Sequence, residues 1–210
     1  MRRLLLLITA VLLAACDAGG KTAPPPPPGS GWRFQYSPGM SAPIADGQGG
    51  VYFDFPSRDG VHYLVQGRTA PLSGAVRAEI EVTMSPGAVL TGPPDPKNTC
   101  PPTPHFSFYF QRVGDDVTDA RKRQYRWFSP YITIEPAAQS LVVPLTVDQG
   151  WIDVFGNGNL TQDAIAAGFA SALAQPQAVG MIFGHGCFAG HGLFMGSGTA
   201  RFHIKSFSVQ

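Results

Sequence analysis

The sequence predicts an all-β fold: two antiparallel sheets packed face to face, with one short helix at about residues 161–174. Three observations carry this. Apolar and polar residues alternate in run after run, the signature of strands with one face on a core. Twenty-five glycines and 20 prolines punctuate those runs. Helical spacing appears once only, so strand and helix patterns do not alternate as an α/β layout requires.

Taken in order, the candidate strands are "WRFQY" (32–36), "GVYFDF" (50–55) and "VHYLVQ" (61–66), followed by "AVRAEIEVTM". In the last, Val76, Ala78, Ile80, Val82 and Met84 point one way and Arg77, Glu79, Glu81 and Thr83 the other. The insertion Ser85 to Pro104 is too rich in proline to pair internally. "HFSFYFQR" then sets Phe106, Phe108 and Phe110 toward a core and His105, Ser107, Tyr109 and Gln111 toward water. "RQYRWFS" (123–129), "SLVVPL" (140–145) and "WIDVFG" (151–156) continue the series. The helix is "LTQDAIAAGFASALAQP": Thr161 is placed to cap it, Asp163 favours its positive end, and Pro176 bars continuation. Ile165, Phe169 and Leu173 form its apolar stripe. "AVGMIFG" (178–184) and "TARFHIKSFSV" (199–209) close the fold. The apolar phase of the last strand shifts from Ala200, Phe202 and Ile204 to Phe207 and Val209, which predicts a bulge near Ser206.

The chain begins "MRRLLLLITAVLLAAC", a positive start, a short apolar run and small residues, which together read as an export signal over residues 1–15. Its apolar run is too short to span a bilayer, which takes about 20 residues. The ending Leu13-Ala14-Ala15-Cys16 resembles the lipobox of bacterial lipoproteins, and the resemblance implies that Cys16 is lipidated and anchors the protein to a membrane. Asp17 is similar to the signal that keeps such proteins in the inner membrane, which places the protein in the cell envelope on the periplasmic side. Residues 16–31 hold five consecutive prolines, a polyproline II spacer between anchor and fold. Residues 32–210 then form a single domain.

In that oxidising compartment Cys100 and Cys187 are the remaining pair, expected to form a disulfide worth about 4–5 kcal/mol through unfolded-chain entropy. The bridge would also hold down the Ser85–Pro104 insertion. Loss of Arg2 and Arg3 with the signal takes the 15 basic residues to 13 against 14 acidic ones. Arg121-Lys122-Arg123 is the sole basic cluster, so a nucleic-acid partner is not expected.

The segment "VPLTVDQGWIDVFG", the helix and "VGMIFGHGCFAGHGLFMGSGTARFHIKSFSV" together resemble the closing strands of galactose-binding-like jelly rolls, the fold of many carbohydrate-binding modules. The resemblance covers Leu141 to Val209, with support from "YFDFPSRDGVHYLV", and implies a jelly-roll β-sandwich. It carries no ligand signature. Sugar recognition needs aromatic faces beside fixed polar groups. Tyr125, Trp127 and Trp151 supply the first; Tyr109, Gln111, Arg126 and the loop residue Asn157 supply the second. Trp151 also opens an apolar strand, which favours the core over a platform for it, and a turn or capping role leads for Asn157. Asp115 and Asp153 read as solvated or turn-forming groups.

No "GxSxG" elbow or "HExxH" pair occurs and no catalytic carboxylate pair is identifiable from sequence context, so no catalytic residue and no cofactor is expected. His185 and His191 flank Cys187 in "GHGCFAGHG". With the cysteine bridged they offer two nitrogens where zinc takes three or four donors, and the glycines suit a turn between strands. The sequence thus points to a non-catalytic envelope lipoprotein that binds glycan or polysaccharide. The alternatives are an assembly protein docking another envelope protein through a sheet face, and a metal site at His185 and His191.

Overall fold

A computed structural model describes residues 31–94, 101–116, 119–154, 156, 158, 162–187 and 189–210. The signal and Cys16, the proline spacer up to residue 30, Cys100, Asn157 and Thr161 lie outside the described residues. In chain order the strands are β1 (Arg33–Gln35), β2 (Ile44–Ala45), β3 (Val51–Asp54), β4 (Tyr63–Gly67), β5 (Ala75–Met84), β6 (Val89–Thr91), β7 (Pro104–Arg112), β8 (Arg126–Phe128), β9 (Ile132–Thr133), β10 (Ala138–Pro144) and β11 (Ile152–Asp153). The helix α1 (Asp163–Ala174) follows, then β12 (Pro176–His185), β13 (Phe194–Ser197) and β14 (Ala200–Val209).

The all-β expectation holds. A seven-stranded sheet in the order β1-β4-β12-β7-β8-β11, with β9 beside β7, faces a five-stranded sheet in the order β10-β5-β14-β3-β2. All pairings are antiparallel. The chain crosses repeatedly between layers, and the central quartets β4-β12-β7-β8 and β10-β5-β14-β3 have the double Greek-key order of a jelly roll. β6 and β13 make a separate ribbon.

Burial explains the layering. From β5 come Val76, Ala78, Ile80 and Val82, each at most 3% exposed, while Arg77, Glu79 and Thr83 alternate outward. Opposite them, Phe106, Phe108 and Phe110 of β7 and Met181 and Phe183 of β12 are fully buried. Phe202 of β14 ties the layers together, with ring centroids 5.2 Å from Phe183, 5.4 Å from Phe106 and 5.6 Å from Phe53. The expected bulge is present, between Ile204 and Ser206, and lets Phe207 turn inward against Trp32 at 5.0 Å. On the outside of the smaller sheet the charged rows pair as their adjacency allows: Lys205 Nζ lies 2.8 Å from Glu81, and Arg201 bonds Asp54 at 2.8 and 3.0 Å.

The helix runs from Asp163, with Gln162 at its N-cap making no side-chain cap bond. Ile165, Phe169 and Ala172 are its buried residues, and Leu173 packs on the core half-buried. Phe169 meets Trp127 at 5.0 Å and Phe110 at 5.5 Å. Pro176 ends the helix and opens β12, as its missing N–H requires.

Two expectations are corrected. The insertion after Ser85 is not wholly unpaired, because Val89–Thr91 pairs outward with β13. More consequentially, β7 has no wet face: every residue from His105 to Gln111 is buried. The strand lies inside the larger sheet, and side chains from loops cover its outer face. Gly180 of β12 is part of that arrangement. The rings of Tyr63 and Tyr109, from strands on either side of β12, meet across it at 5.2 Å, and a Cβ at Gly180 would lie 2.8 Å from Val65 Cα. Gly180→Ala is therefore expected to cost about 1–3 kcal/mol through overpacking, read as a lower midpoint in urea unfolding.

Candidate functional site

The covered outer face of the larger sheet is where polar chemistry collects. Alternation along β7 turns His105, Ser107, Tyr109 and Gln111 to this face, and on β8 it turns Arg126 and Phe128 the same way. Register then sets Gln111 opposite Arg126 and Tyr109 opposite Phe128. Tyr63 of β4 and Asp153 of β11 complete the surround. A recess of about 440 Å³ opens here, walled by Tyr63, Arg126, Phe128, Tyr131, Asp153 and His191. That volume suits a small polar ligand.

The glycine-rich turn forms one rim. Gly190 and Gly192 have φ of +73° and +95°, which residues with a Cβ rarely adopt. A Cβ on Gly190 would lie 3.0 Å from the Tyr63 hydroxyl, and one on Gly192 would lie 2.7 Å from His62 Nε2. His62 Nδ1 and the Gly190 carbonyl are 3.0 Å apart, which holds the turn against β4. The expectation that these glycines serve a turn is met. Tied to the same turn, Tyr131 is 45% exposed and stacks on His105 at 3.9 Å, its hydroxyl donating to the Cys187 carbonyl at 3.2 Å.

Buried charge lies beneath. Arg126 Nε stands 3.0 Å from Asp115 Oδ2, with the Asp115 side chain fully buried and that of Arg126 8% exposed. Gln111 Nε2 donates to the same oxygen at 2.8 Å. Burial pushes the Asp115 carboxyl above its usual range, and the attraction of Arg126 and the Gln111 bond offset only part of that rise. Burial also pushes the Tyr63 phenol up to about 12 and the Tyr109 phenol well above its ordinary value. Both are neutral hydroxyl groups at any physiological pH. The His105 imidazole is held below its ordinary value, chiefly by burial, so its uncharged form prevails at neutral pH. The Ser107 Oγ, Tyr109 Oη and His105 Nε2 atoms are buried without a hydrogen-bond partner. Such atoms are rare in folded proteins and call for a polar neighbour.

Of the seven residues the sequence proposed for ligand contact, Arg126 lines the recess, and Tyr109 and Gln111 lie buried on the same sheet face behind it. Two are corrected. Trp127 and Trp151 have no exposed surface and belong to the core, their indole N–H groups donating to Gln124 O at 2.8 Å and Pro144 O at 2.9 Å. Neither ring offers a face for stacking, because Trp127 follows Arg126 by one residue and so takes the opposite side of the sheet. Tyr125 sits half-buried away from the recess with the Arg112 guanidinium 4.5 Å from its ring centre. Asn157 is outside the described residues. Asp115 and Asp153, expected in solvent, are instead buried side chains of the site.

Sequence reasoning did not single out Tyr63, Phe128 or Tyr131. The available signal was the aromatic content of the strands before and after β7. Cys187 lines the recess and is engaged rather than free, while Cys100, its expected partner, lies outside the described residues. Among the described residues, no group of three or more His, Cys, Asp or Glu side chains is placed to hold a metal ion. The chain matches no protein-family model and no curated protein sequence.

Proposed function

We propose that this is a lipid-anchored protein of the bacterial cell envelope that binds a neutral glycan in the recess between Tyr63, Arg126, Tyr131 and Asp153, without catalysing a reaction. The observation that carries the reading is the composition of that recess. Half-exposed Tyr131 presents a ring to the apolar side of a sugar, a buried Arg and a buried Asp offer a donor and an acceptor for hydroxyl groups, and unpaired hydroxyls lie in the layer below. The jelly roll resembles the galactose-binding-like modules that carry such sites.

In this reading Cys16 holds the protein to the membrane, with Asp17 favouring the inner one, and the proline run keeps the domain off the bilayer surface. A Cys100–Cys187 bridge would pin the loop that walls the recess. Alkylation followed by mass spectrometry of the native protein then finds neither thiol free.

Calorimetric titration against neutral oligosaccharides tests the site. Saturable binding is expected, and Tyr131→Ala weakens it about 5–10-fold, since aromatic contacts contribute about 1 kcal/mol. Unfolding temperature should fall by a few degrees, because the substitution also removes the stack on His105 and the bond to the Cys187 carbonyl. No saturable binding, or binding indifferent to Tyr131→Ala, would overturn the reading.

A further inference from the structure

Two sheets have four edges, and three of them are short: β1 spans three residues, β2 and β11 two each. The fourth is β10, seven residues long and paired with β5 alone among the described strands. Bonds from Val82 N to Ala137 O and from Leu145 N to Gly74 O set the phase of that pairing. Gln139, Leu141 and Val143 therefore turn their backbone groups to β5, while Ala138, Ser140, Val142 and Pro144 turn theirs away. Pro144 has no N–H, and its carbonyl accepts the Trp151 indole N–H. The open row is Ala138, Ser140 and Val142, all exposed.

Natural sheets guard such an edge with charge, a bulge or an inserted proline. Here Pro144 guards one end only, and the row from Ala138 to Val142 carries no charge and no bulge. We propose that it pairs with the same edge of a second copy, antiparallel about a two-fold axis at Ser140, joining the two five-stranded sheets into one. The row reads the same in both directions: Ala138 faces Val142 of the second copy, Ser140 faces Ser140, and each residue donates one bond and accepts one.

Charge favours this register. On β5, Arg77 lies beside Val142 and Glu81 beside Ala138. Pairing Val142 with Ala138 lines Arg77 of one copy up with Glu81 of the other across two small side chains, in both directions, with Glu81 then shared between that arginine and its own Lys205. The Cα separation is three strand spacings, about 14 Å, which the two long side chains cover between them. Glu79 faces its own copy at the same spacing, but the two carboxylates are free to lean apart, which keeps them beyond the ~8 Å over which exposed charges interact at physiological ionic strength. Sliding one way aligns Glu79 with Glu81. Sliding the other way spends Ala138 on Pro144, whose N–H is missing and whose carbonyl is taken. The dimer makes no use of the recess, so it stands or falls apart from glycan binding.

Cysteine scanning of the full chain tests the register. Facing residues in a hydrogen-bonded antiparallel pair have Cα atoms about 5.5 Å apart, within disulfide range. Ser140→Cys, oxidised with copper phenanthroline, is expected to give a linked dimer on non-reducing gels that the unsubstituted protein does not. Ala138→Cys and Val142→Cys stay monomeric singly and link when combined. In sedimentation velocity the unsubstituted protein runs as a dimer, and Ser140→Lys, which sets two ammonium groups on the axis, runs as a monomer with unchanged circular dichroism. A monomeric unsubstituted protein, equal cross-linking at all three positions, or a Ser140→Lys dimer would each overturn the proposal.

Discussion

Trp151→Ala is expected to destabilise the protein by about 3–5 kcal/mol, the usual cost of emptying a buried tryptophan site. The ring has no exposed surface and fits between Phe110 at 5.2 Å and Phe169 at 6.2 Å. It also joins elements that little else connects. The indole N–H donates to Pro144 O at the end of β10, while the residue itself leads into β11 of the other sheet. Truncation opens a cavity under α1 and leaves the Pro144 carbonyl without that donor. Trp151→Phe should recover part of the packing but not the bond, placing its urea midpoint between the two. A loss below about 1 kcal/mol for Trp151→Ala would mean that the ring is not part of the core.

The second large effect is at Arg126. Arg126→Met keeps the volume but strips the counter-charge from Asp115, a carboxylate with no exposed side-chain surface. Breaking a buried pair from one side costs about 3–5 kcal/mol, and that cost should be full at pH 8. The pH dependence follows from the sign of the shift. Burial already raises Asp115 in the folded state, so its stability contribution is complete below the unfolded carboxylate pKa and is lost as pH rises through the folded one. Without Arg126 the folded value climbs further, and the penalty of Arg126→Met should shrink as the pH is lowered toward 5. Asp115→Asn leaves the buried Arg126 guanidinium as the unpaired charge, so it too should cost about 3–5 kcal/mol, but equally at both pH values because no titrating carboxyl remains in the pair. Urea unfolding at the two pH values measures both. A pH-independent penalty for Arg126→Met would sever the link to Asp115.

β5 was legible in the sequence because its outer face meets water: Arg77 and Glu79 mark the solvent side, and the apolar partners follow. β7 shows the same alternation, yet both of its faces are buried, since a polar residue looks alike in sequence whether water or a loop covers it. The strands β2, β6, β9 and β13 run two to four residues, too short to establish a period. The site was half visible for the same reason. Tyr109, Gln111 and Arg126 follow from strand phase once β7 and β8 are drawn. Tyr63 and Asp153 join them only through the strand order β4-β12-β7-β8-β11, which brings distant segments side by side and leaves no local trace. Trp127 was misplaced through an assumption that aromatic supply means an exposed ring, when the residue's phase relative to Arg126 already set it on the opposite face.

The position of β14, between β5 and β3 at the middle of the smaller sheet, bears on the order of events in folding. β3 and β5 end at Asp54 and Met84 while β14 begins only at Ala200, so both of its pairings join segments far apart in the chain. Closing such long loops costs chain entropy before the contacts repay it, so the smaller sheet is expected to complete itself late, with its central strand the last piece to be seated.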